Sequence, residues 1–345
     1  KGGSPAESNR TIKQLAVRLI EDKRTVGVVG DLFVDCTGFS SVLLEQQLGT
    51  RFNKFDDLAN DKALYARIPY KTQEEREEIM HCVTDCQGMT NGWAWTIPLW
   101  DRVGVGYCWS SRFAMATEVI PEFETWIQNK FGVTPDEYEV KEVDVKNGYH
   151  EKAWNLNVVG IGLSYGFVEP LESTGLASMT TGVQKLAARI PQYAYSERDI
   201  KGYNEEMGYW YEDAVDFINS HYADSKWDTP FWNFVKETHV KSNKHLWYEA
   251  WLKDPTKKFY SNVDSMTLFH SPNWQLWLIQ MGYPVKKDLS YLNPMEIDFM
   301  ITQFLAAEDI RMCSSISHQD AIKSTNMGTD WWQRYAARGD GGSLV

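Results

Sequence analysis

Residues 166–178 read GFVEPLESTGLAS, directly after the apolar run NVVGIGLS at 157–164. The run is short and almost continuously apolar, which predicts a strand buried on both faces. Pro170 and Gly175 punctuate a turn, and helical texture begins at Thr174. Strand, turn and helix in that order aim free backbone N–H groups and the positive end of a helix dipole at whatever lies in front, and an anion is the natural guest. A plain account makes Ser173 or Thr174 the helix N-cap and Glu172 a favourable charge near the dipole. The functional account has Thr174 and Gly175 holding a small anion while Glu172 faces a reaction cavity.

Upstream of this stretch the chain is rich in strand patterns. TIKQLAVRLIEDKR (11–24) places Ile12, Leu15, Ala16 and Leu19 at helical spacing, so a helix is expected there. TVGVVGDLFVDCTGF (25–39) then reads as β-branched strand material ending in a glycine turn. Between 63 and 113, ALYARIPY, HCVTDCQGM, GWAWTIPLW and RVGVGYCWSSRF read as successive strands of an antiparallel meander. ATEVIPEFETWIQNKFG (116–132) is an amphipathic helix closed by Gly132, and EYEVKEVDV alternates like a strand. Beyond Thr174, helices are expected at 174–190, 199–222, 230–250 and 295–308. The fold class is therefore α+β, sheet-rich first and helical afterwards, with a division expected between 1–190 and 191–345.

With 345 residues and 43% apolar content the chain can bury a full core. A formal charge of −12 and the absence of a dense basic stripe exclude a nucleic-acid backbone as the main partner. The lysine pairs in PTKKF and PVKKD read as solvated faces. No stretch has the length of a membrane span or the apolar core of a secretory signal, which gives a soluble, cytoplasmic expectation. Five scattered cysteines, Cys36, Cys82, Cys86, Cys108 and Cys313, suit a reducing compartment and reduced core thiols. Cys82 and Cys86 lack the further ligands a zinc site needs, so no metal is expected. The tail RGDGGSLV reads as frayed.

Three further stretches carry chemistry-bearing residues. DLFVDCTGF (31–39) ends in a small-residue turn at Gly38 that permits close approach of a ligand or of another backbone. In GWAWTIPL (92–99), Trp93 and Trp95 point to the same strand face and form one aromatic wall, in a core or against a cavity. HYADSKWDTPFW (221–232) ends one helix and starts another, with Asp228 or Thr229 capping and Pro230 in the first turn. Phe231 and Trp232 then either line an aromatic pocket or staple two helices.

Taken in order, these stretches resemble the flavin-dependent halogenases of the tryptophan-halogenase type. GWAWTIP resembles their W-x-W-x-I-P signature, and GLSYGFVEPLESTG resembles their catalytic-glutamate segment. DLFVDCTGF, RVGVGYCWSSRF and HYADSKWDTPFW are similar to further family blocks, so the resemblance spans Val26 to Trp232. It implies an FAD-dependent monooxygenase-like fold of the glutathione-reductase type, incomplete at its start. Neither the G-x-G-x-x-G loop nor the catalytic lysine of the family is recognisable, and no lysine is assigned.

The implied reaction uses reduced FAD, O2 and halide to make hypohalous acid, which travels through a tunnel to a separate site. There it halogenates an aromatic, indole-like substrate. Carried over residue by residue, Glu172 is catalytic, Thr174 and Gly175 bind halide, and Leu163, Leu176 and Gly38 adjoin the flavin. Trp93, Trp95, Phe231 and Trp232 fall on the substrate side, and Glu169 is structural. Reduced flavin comes from a separate flavin reductase, and a homodimer is compatible with the family. Trp227 stands where free-tryptophan enzymes keep an acidic residue, which points to a substrate without the amino-acid head. The rival expectations are a flavin-dependent aromatic hydroxylase and a non-catalytic aromatic-binding derivative.

Overall fold

The computed structural model describes residues 11–190, 195–239, 241–254 and 268–284, together with Met295, Thr302 and Gln303. The expected helix at 295–308, both lysine pairs, Cys313 and the RGD tail lie outside the described residues or largely so.

The helix expected at 11–24 is instead a hairpin. β1 (Leu15–Arg18) pairs antiparallel with β2 (Thr25–Val28), Leu15 standing opposite Val28. Asn157 is one reason: its side-chain amide exchanges two hydrogen bonds with the Ile12 backbone, 2.9 Å to the N–H and 2.8 Å to the carbonyl, holding that residue extended. Lys23 at φ +58 and Asp22, which accepts from the Arg24 N–H at 3.0 Å, turn the chain back. Ile12 and Leu15 still pack against the main core, but from an extended chain, and pairing of backbone groups decides the outcome.

The strand expected at 25–39 is also divided, because β3 (Phe33–Asp35) leaves the hairpin and joins a different sheet. Asp35 ends β3 fully buried. Its carboxylate accepts from the N–H and hydroxyl of Thr37 at 3.0 and 2.6 Å, and from the Leu43 and Leu44 N–H groups at 2.8 and 2.9 Å. It thereby caps the π-helical turn Val42–Gln47. Burial pushes this carboxyl up, but the four hydrogen bonds outweigh burial and hold it below the usual range. A depressed folded value contributes stability that is present above the ordinary aspartate value near 3.9 and is lost as pH falls below it. Asp35→Ala is expected to cost about 3 kcal/mol at neutral pH, read by urea unfolding, with the difference from the parent chain shrinking toward pH 3.

Next come β4 (Phe52–Lys54), β5 (Lys62–Pro69), α1 (Gln73–Ile79), β6 (Asp85–Met89), β7 (Gly92–Pro98) and β8 (Arg102–Trp109). They are followed by α2 (Ala116–Phe131) and β9 (Lys141–Asp144), and the large sheet runs β6-β7-β8-β5-β9 with every pairing antiparallel. The meander is real from β6 to β8. Helix α1 interrupts it: QEEREEI has no apolar stripe, but Thr72 caps it by accepting from the Glu75 N–H at 3.1 Å. HCVTDCQGM is accordingly a strand only from Asp85. Helix α2 ends as expected on Gly132 at φ +62.

Period-two alternation gives the sheet two different faces. Ala94, Val103, Val105, Tyr107 and Trp109 meet Val119, Phe123 and Ile127 of α2 in one cluster. On the other face Trp93, Cys108 and Ala63 join the main core, which continues through Val158, Tyr211 and Phe231 to Leu278. Gly106 makes room for Trp95, since a Cβ there would lie 1.9 Å from the indole.

Small sheets complete the β half. β10 (Gly148–His150) lies between β4 and β13 (Gly166–Phe167), while β12 (Val158–Gly160) lies between β11 (Trp154–Asn155) and β3, the latter pair parallel. β12 is buried at all three residues, as its apolar run predicts. Five helices follow among the described residues: α3 (Thr174–Ala187), α4 (Glu197–Ala223), α5 (Pro230–Thr238), α6 (Asn243–Lys253) and α7 (Ser271–Gln280). The helix expected at 230–250 is two, because Ser242 accepts from the His245 N–H at 3.1 Å and starts α6 afresh. Thr229, with Pro230 behind it, caps α5.

The expectation of core thiols needs correction. Cys108 is buried, whereas Cys36, Cys82 and Cys86 are exposed, and all four are free. Among the described residues no helix is long and apolar enough to cross a membrane, and no group of His, Cys, Asp or Glu is arranged to hold a metal.

Candidate active site

The segment that opened the sequence reading is a strap between two cavities. After β13, Pro170–Glu172 form a single 3-10 turn, and Ser173 at φ +54 reverses the chain so that α3 begins at Thr174. Residues on the two sides of this reversal face different spaces. Leu171, Glu172 and Ser173 line a cavity of about 700 Å³, whereas Thr174, Gly175 and Leu176 line another of about 310 Å³.

The larger cavity is aromatic. Trp93, Tyr222, Trp227, Trp232 and Trp277 contribute to its wall. Trp93 comes from β7; Trp232 comes from the start of α5, where its Nε1 donates to the Met89 carbonyl at 2.7 Å. Trp227 lies over β6 at Gly88, where a Cβ would sit 2.3 Å from its Nε1. Glu172 enters from the strap with its side chain 32% exposed, and its Oε1 lies 2.7 Å from Nε2 of His221 near the end of α4. The His221 ring stacks on Trp277 with centroids 3.7 Å apart and 23° between planes. Cys86 also lines the cavity; although the residue as a whole is exposed, its sulfur turns inward to the Leu171 carbonyl at 3.7 Å, and desolvation there, then the Glu172 carboxylate, pushes its thiol up to about 12, so it stays neutral at ordinary pH. Lys226 is exposed at the wall and makes no ion pair among the described residues.

Glu169 faces neither cavity. It is wholly buried, and its Oε2 accepts from Trp93 Nε1 at 2.8 Å, Asn60 Nδ2 at 2.8 Å and Tyr222 OH at 2.6 Å. These bonds tie the strap to β7 and α4. Burial raises its carboxyl above the usual range, and the three hydrogen bonds only partly offset that.

The smaller cavity has a different character. Helix α3 opens with no side-chain cap from Ser173, so the plain capping account fails in its geometry. Thr174 is 1% exposed and its hydroxyl has no hydrogen-bond partner among the described residues. Nothing lies within 4 Å of where a Cβ on Gly175 would be. Leu163 and Leu176 line the cavity while remaining 41% and 73% exposed, so both present apolar surface to whatever occupies this side. Gly38, at φ +68 with open space at its Cβ position, belongs to a turn beside the 162–164 turn, where Ser41 donates to the Ser164 carbonyl at 2.8 Å.

Of the residues singled out from sequence, Trp93, Glu172 and Trp232 meet at the larger cavity, and Leu163, Thr174, Gly175 and Leu176 meet at the smaller one. Gly38, Trp95 and Phe231 line neither. Trp95 packs beside Trp93 with centroids 5.7 Å apart, and Phe231 is fully buried between Phe113 and Tyr222. In PFW, the first aromatic staples the helices and the second reaches the cavity. Sequence reasoning gave no role to His221, Tyr222 or Trp277; the first two open the HYADSKW stretch itself, but Trp277 carried no signal.

The family model for tryptophan halogenases matches residues 8–294. The chain belongs to the tryptophan halogenase family. Tryptophan 7-halogenase RebH of Lentzea aerocolonigenes is 35% identical over 210 residues, which is 60% of this chain and 38% of that enzyme. The tryptophan 6-halogenase SttH of Streptomyces toxytricini superposes with a TM-score of 0.68 at 27% identity, over 83% of this chain and 55% of that one. BrvH, a flavin-dependent halogenase from Brevundimonas sp. BAL3, gives 0.71 at 24% identity over 90% and 63%, a likeness of fold. The α+β class read from sequence is thus the flavin-dependent halogenase fold, and the chain spans about two fifths of the length of the curated relatives it matches.

Proposed function

We propose that the protein takes part in FAD-dependent halogenation of an electron-rich, indole-like aromatic. The observation that carries this reading is the pair of cavities on opposite sides of the Leu171–Thr174 strap, one aromatic and containing Glu172, the other containing the unpartnered Thr174 hydroxyl. Oxidant and substrate are thereby assigned to separate spaces, as halogenation through a diffusible oxidant requires.

In this reading Thr174 and Gly175 hold halide at the α3 N-terminus, where the helix dipole favours an anion. Leu163, Leu176 and the Gly38 turn contact the flavin, whose exposed apolar neighbours and open glycine positions fit a flat ring. When bound, reduced flavin supplies, with dioxygen and halide, hypohalous acid. Glu172 then places a carboxylate where positive charge develops on the attacked ring and takes the ring proton at a carboxylate oxygen. Trp93 and Trp232 hold the ring, and Trp93 stands in the wall separating substrate from flavin. A separate flavin reductase delivers reduced flavin. The test is a reaction with flavin reductase, FAD and a panel of indoles, with and without bromide. Brominated product supports the reading; hydroxylated product, independent of bromide, assigns a hydroxylase instead.

The larger cavity also selects among aromatics. Its volume suits a whole drug-sized ligand, in the range of roughly 300–1,000 Å³. An ammonium head would meet the Lys226 ammonium at the wall, and one of the two Glu172 oxygens is already engaged by His221. Calorimetry on the chain is expected to show indole binding about 10-fold tighter than tryptamine, a difference of about 1.4 kcal/mol. Equal or reversed affinities would remove the argument for a substrate without an amino group.

A further inference from the structure

The His221 ring offers its two nitrogens to two acceptors. Nδ1 lies 3.0 Å from the Phe217 carbonyl oxygen one helical turn back, and Nε2 lies 2.7 Å from Glu172 Oε1, 49 residues away in sequence. A backbone carbonyl only accepts, so Nδ1 carries hydrogen. The short contact on the other side then needs a second proton, on Nε2 or on the carboxyl. The ring has little freedom to move, being 11% exposed at its side chain, stacked on Trp277 and set edge-on against Phe217 with centroids 5.2 Å apart. Glu172 Oε2 makes no hydrogen bond among the described residues, so the carboxylate has one oxygen fixed and one free in the cavity.

We propose that His221 is the positioning residue of Glu172: it clamps Oε1 through Nε2 and leaves Oε2 as the single oxygen offered to the substrate ring. This rests on the halogenation reading for its catalytic consequence but not for the pairing itself. The neighbours are consistent with it. Cys86, across the cavity on β6, is a neutral thiol; Glu169, buried behind the strap, has Oε2 occupied by three donors; Lys226 stands at the wall. No other carboxylate lines the larger cavity among the described residues, so Glu172 is the one anionic partner His221 meets there. Because Nδ1 ends on a carbonyl, His221 is not a proton wire to solvent. Its part is orientation, which preorganises the base before the ring arrives.

The pairing is tested on the full chain labelled with ¹⁵N in histidine, with the His221 signals assigned by their loss in His221→Gln. Long-range ¹H–¹⁵N spectra at neutral pH are expected to show hydrogen on both ring nitrogens of His221. In Glu172→Gln the spectrum is expected to show hydrogen on Nδ1 alone. A bare Nε2 in the parent chain, or a spectrum unchanged by Glu172→Gln, overturns the proposal. The consequence is tested by two substitutions in the flavin-supplied reaction. The carboxamide of His221→Gln reaches the place of Nε2 and still donates to Glu172, whereas that of His221→Asn is too short to do so. His221→Asn is expected to lower kcat about 100-fold at unchanged KM, with His221→Gln restoring most of the loss. Equal losses in both, or an effect confined to KM, overturn the positioning role. Both hydrogens present in a chain that halogenates nothing would sink the functional reading and leave the pairing intact.

Discussion

Glu172→Gln is expected to lower the yield of halogenated product by at least about 100-fold while reduced-flavin oxidation continues at its normal rate. The substitution keeps the shape of the side chain and removes only its ability to carry negative charge and accept a proton. Its side chain is partly exposed at the cavity wall, so the folding free energy is expected to change by no more than about 1 kcal/mol. Product formation and flavin oxidation, measured together, separate the two cavities functionally. Parallel loss of both would mean that Glu172 acts on the flavin side of the strap, and unchanged yield would remove it from the chemistry.

The second large effect is one of stability. Glu169→Ala is expected to cost about 4 kcal/mol, because it leaves the Trp93 and Tyr222 donors unpaired in a buried interior, leaves Asn60 Nδ2 with only its bond to Tyr222 OH, and opens a void behind the strap. Glu169→Gln keeps an acceptor oxygen for the same donors and is expected to stay within about 1.5 kcal/mol of the parent chain. The pH dependence has the opposite sign to that of Asp35. Burial raises the folded Glu169 carboxyl above its ordinary value near 4.3, so its favourable contribution is complete below that value and is lost as pH rises through the folded value. Urea unfolding of the parent chain and Glu169→Gln across pH 4 to 8 is expected to show the glutamine variant gaining relative stability with rising pH. A constant difference would mean that Glu169 ionises as freely in the folded chain as in the unfolded one.

These two glutamates, three residues apart, show how far local reading reaches. The turn after β13 and the helix at Thr174 are written in Pro170, Gly175 and the apolar run before them. The division of labour between Glu169 and Glu172 came from a resemblance. What the geometry adds is their placement: one side chain turns in to three donors and the other out to a cavity. Spacing also put Trp93 and Trp95 on one strand face, but only Trp93 reaches the cavity, because Gly106 draws the Trp95 indole onto β8. At 15–28 the spacing predicts a helix and the chain forms a hairpin, because periodicity reports which residues could share a face, not which backbone groups will pair.

The sequence alone determined the elements whose causes are local: the meander strands, the Gly132 and Thr229 caps, the buried run at Val158–Gly160 and the reversal that starts α3. Tertiary structure alone decided which residues separated by tens of positions would meet: Glu172 with His221, His221 with Trp277, and Glu169 with Asn60. Caps, turns and periodicity follow from backbone geometry within a few residues and leave a pattern in the chain. A hydrogen bond or ring stack between distant segments leaves none, because it exists only once packing has brought those segments together.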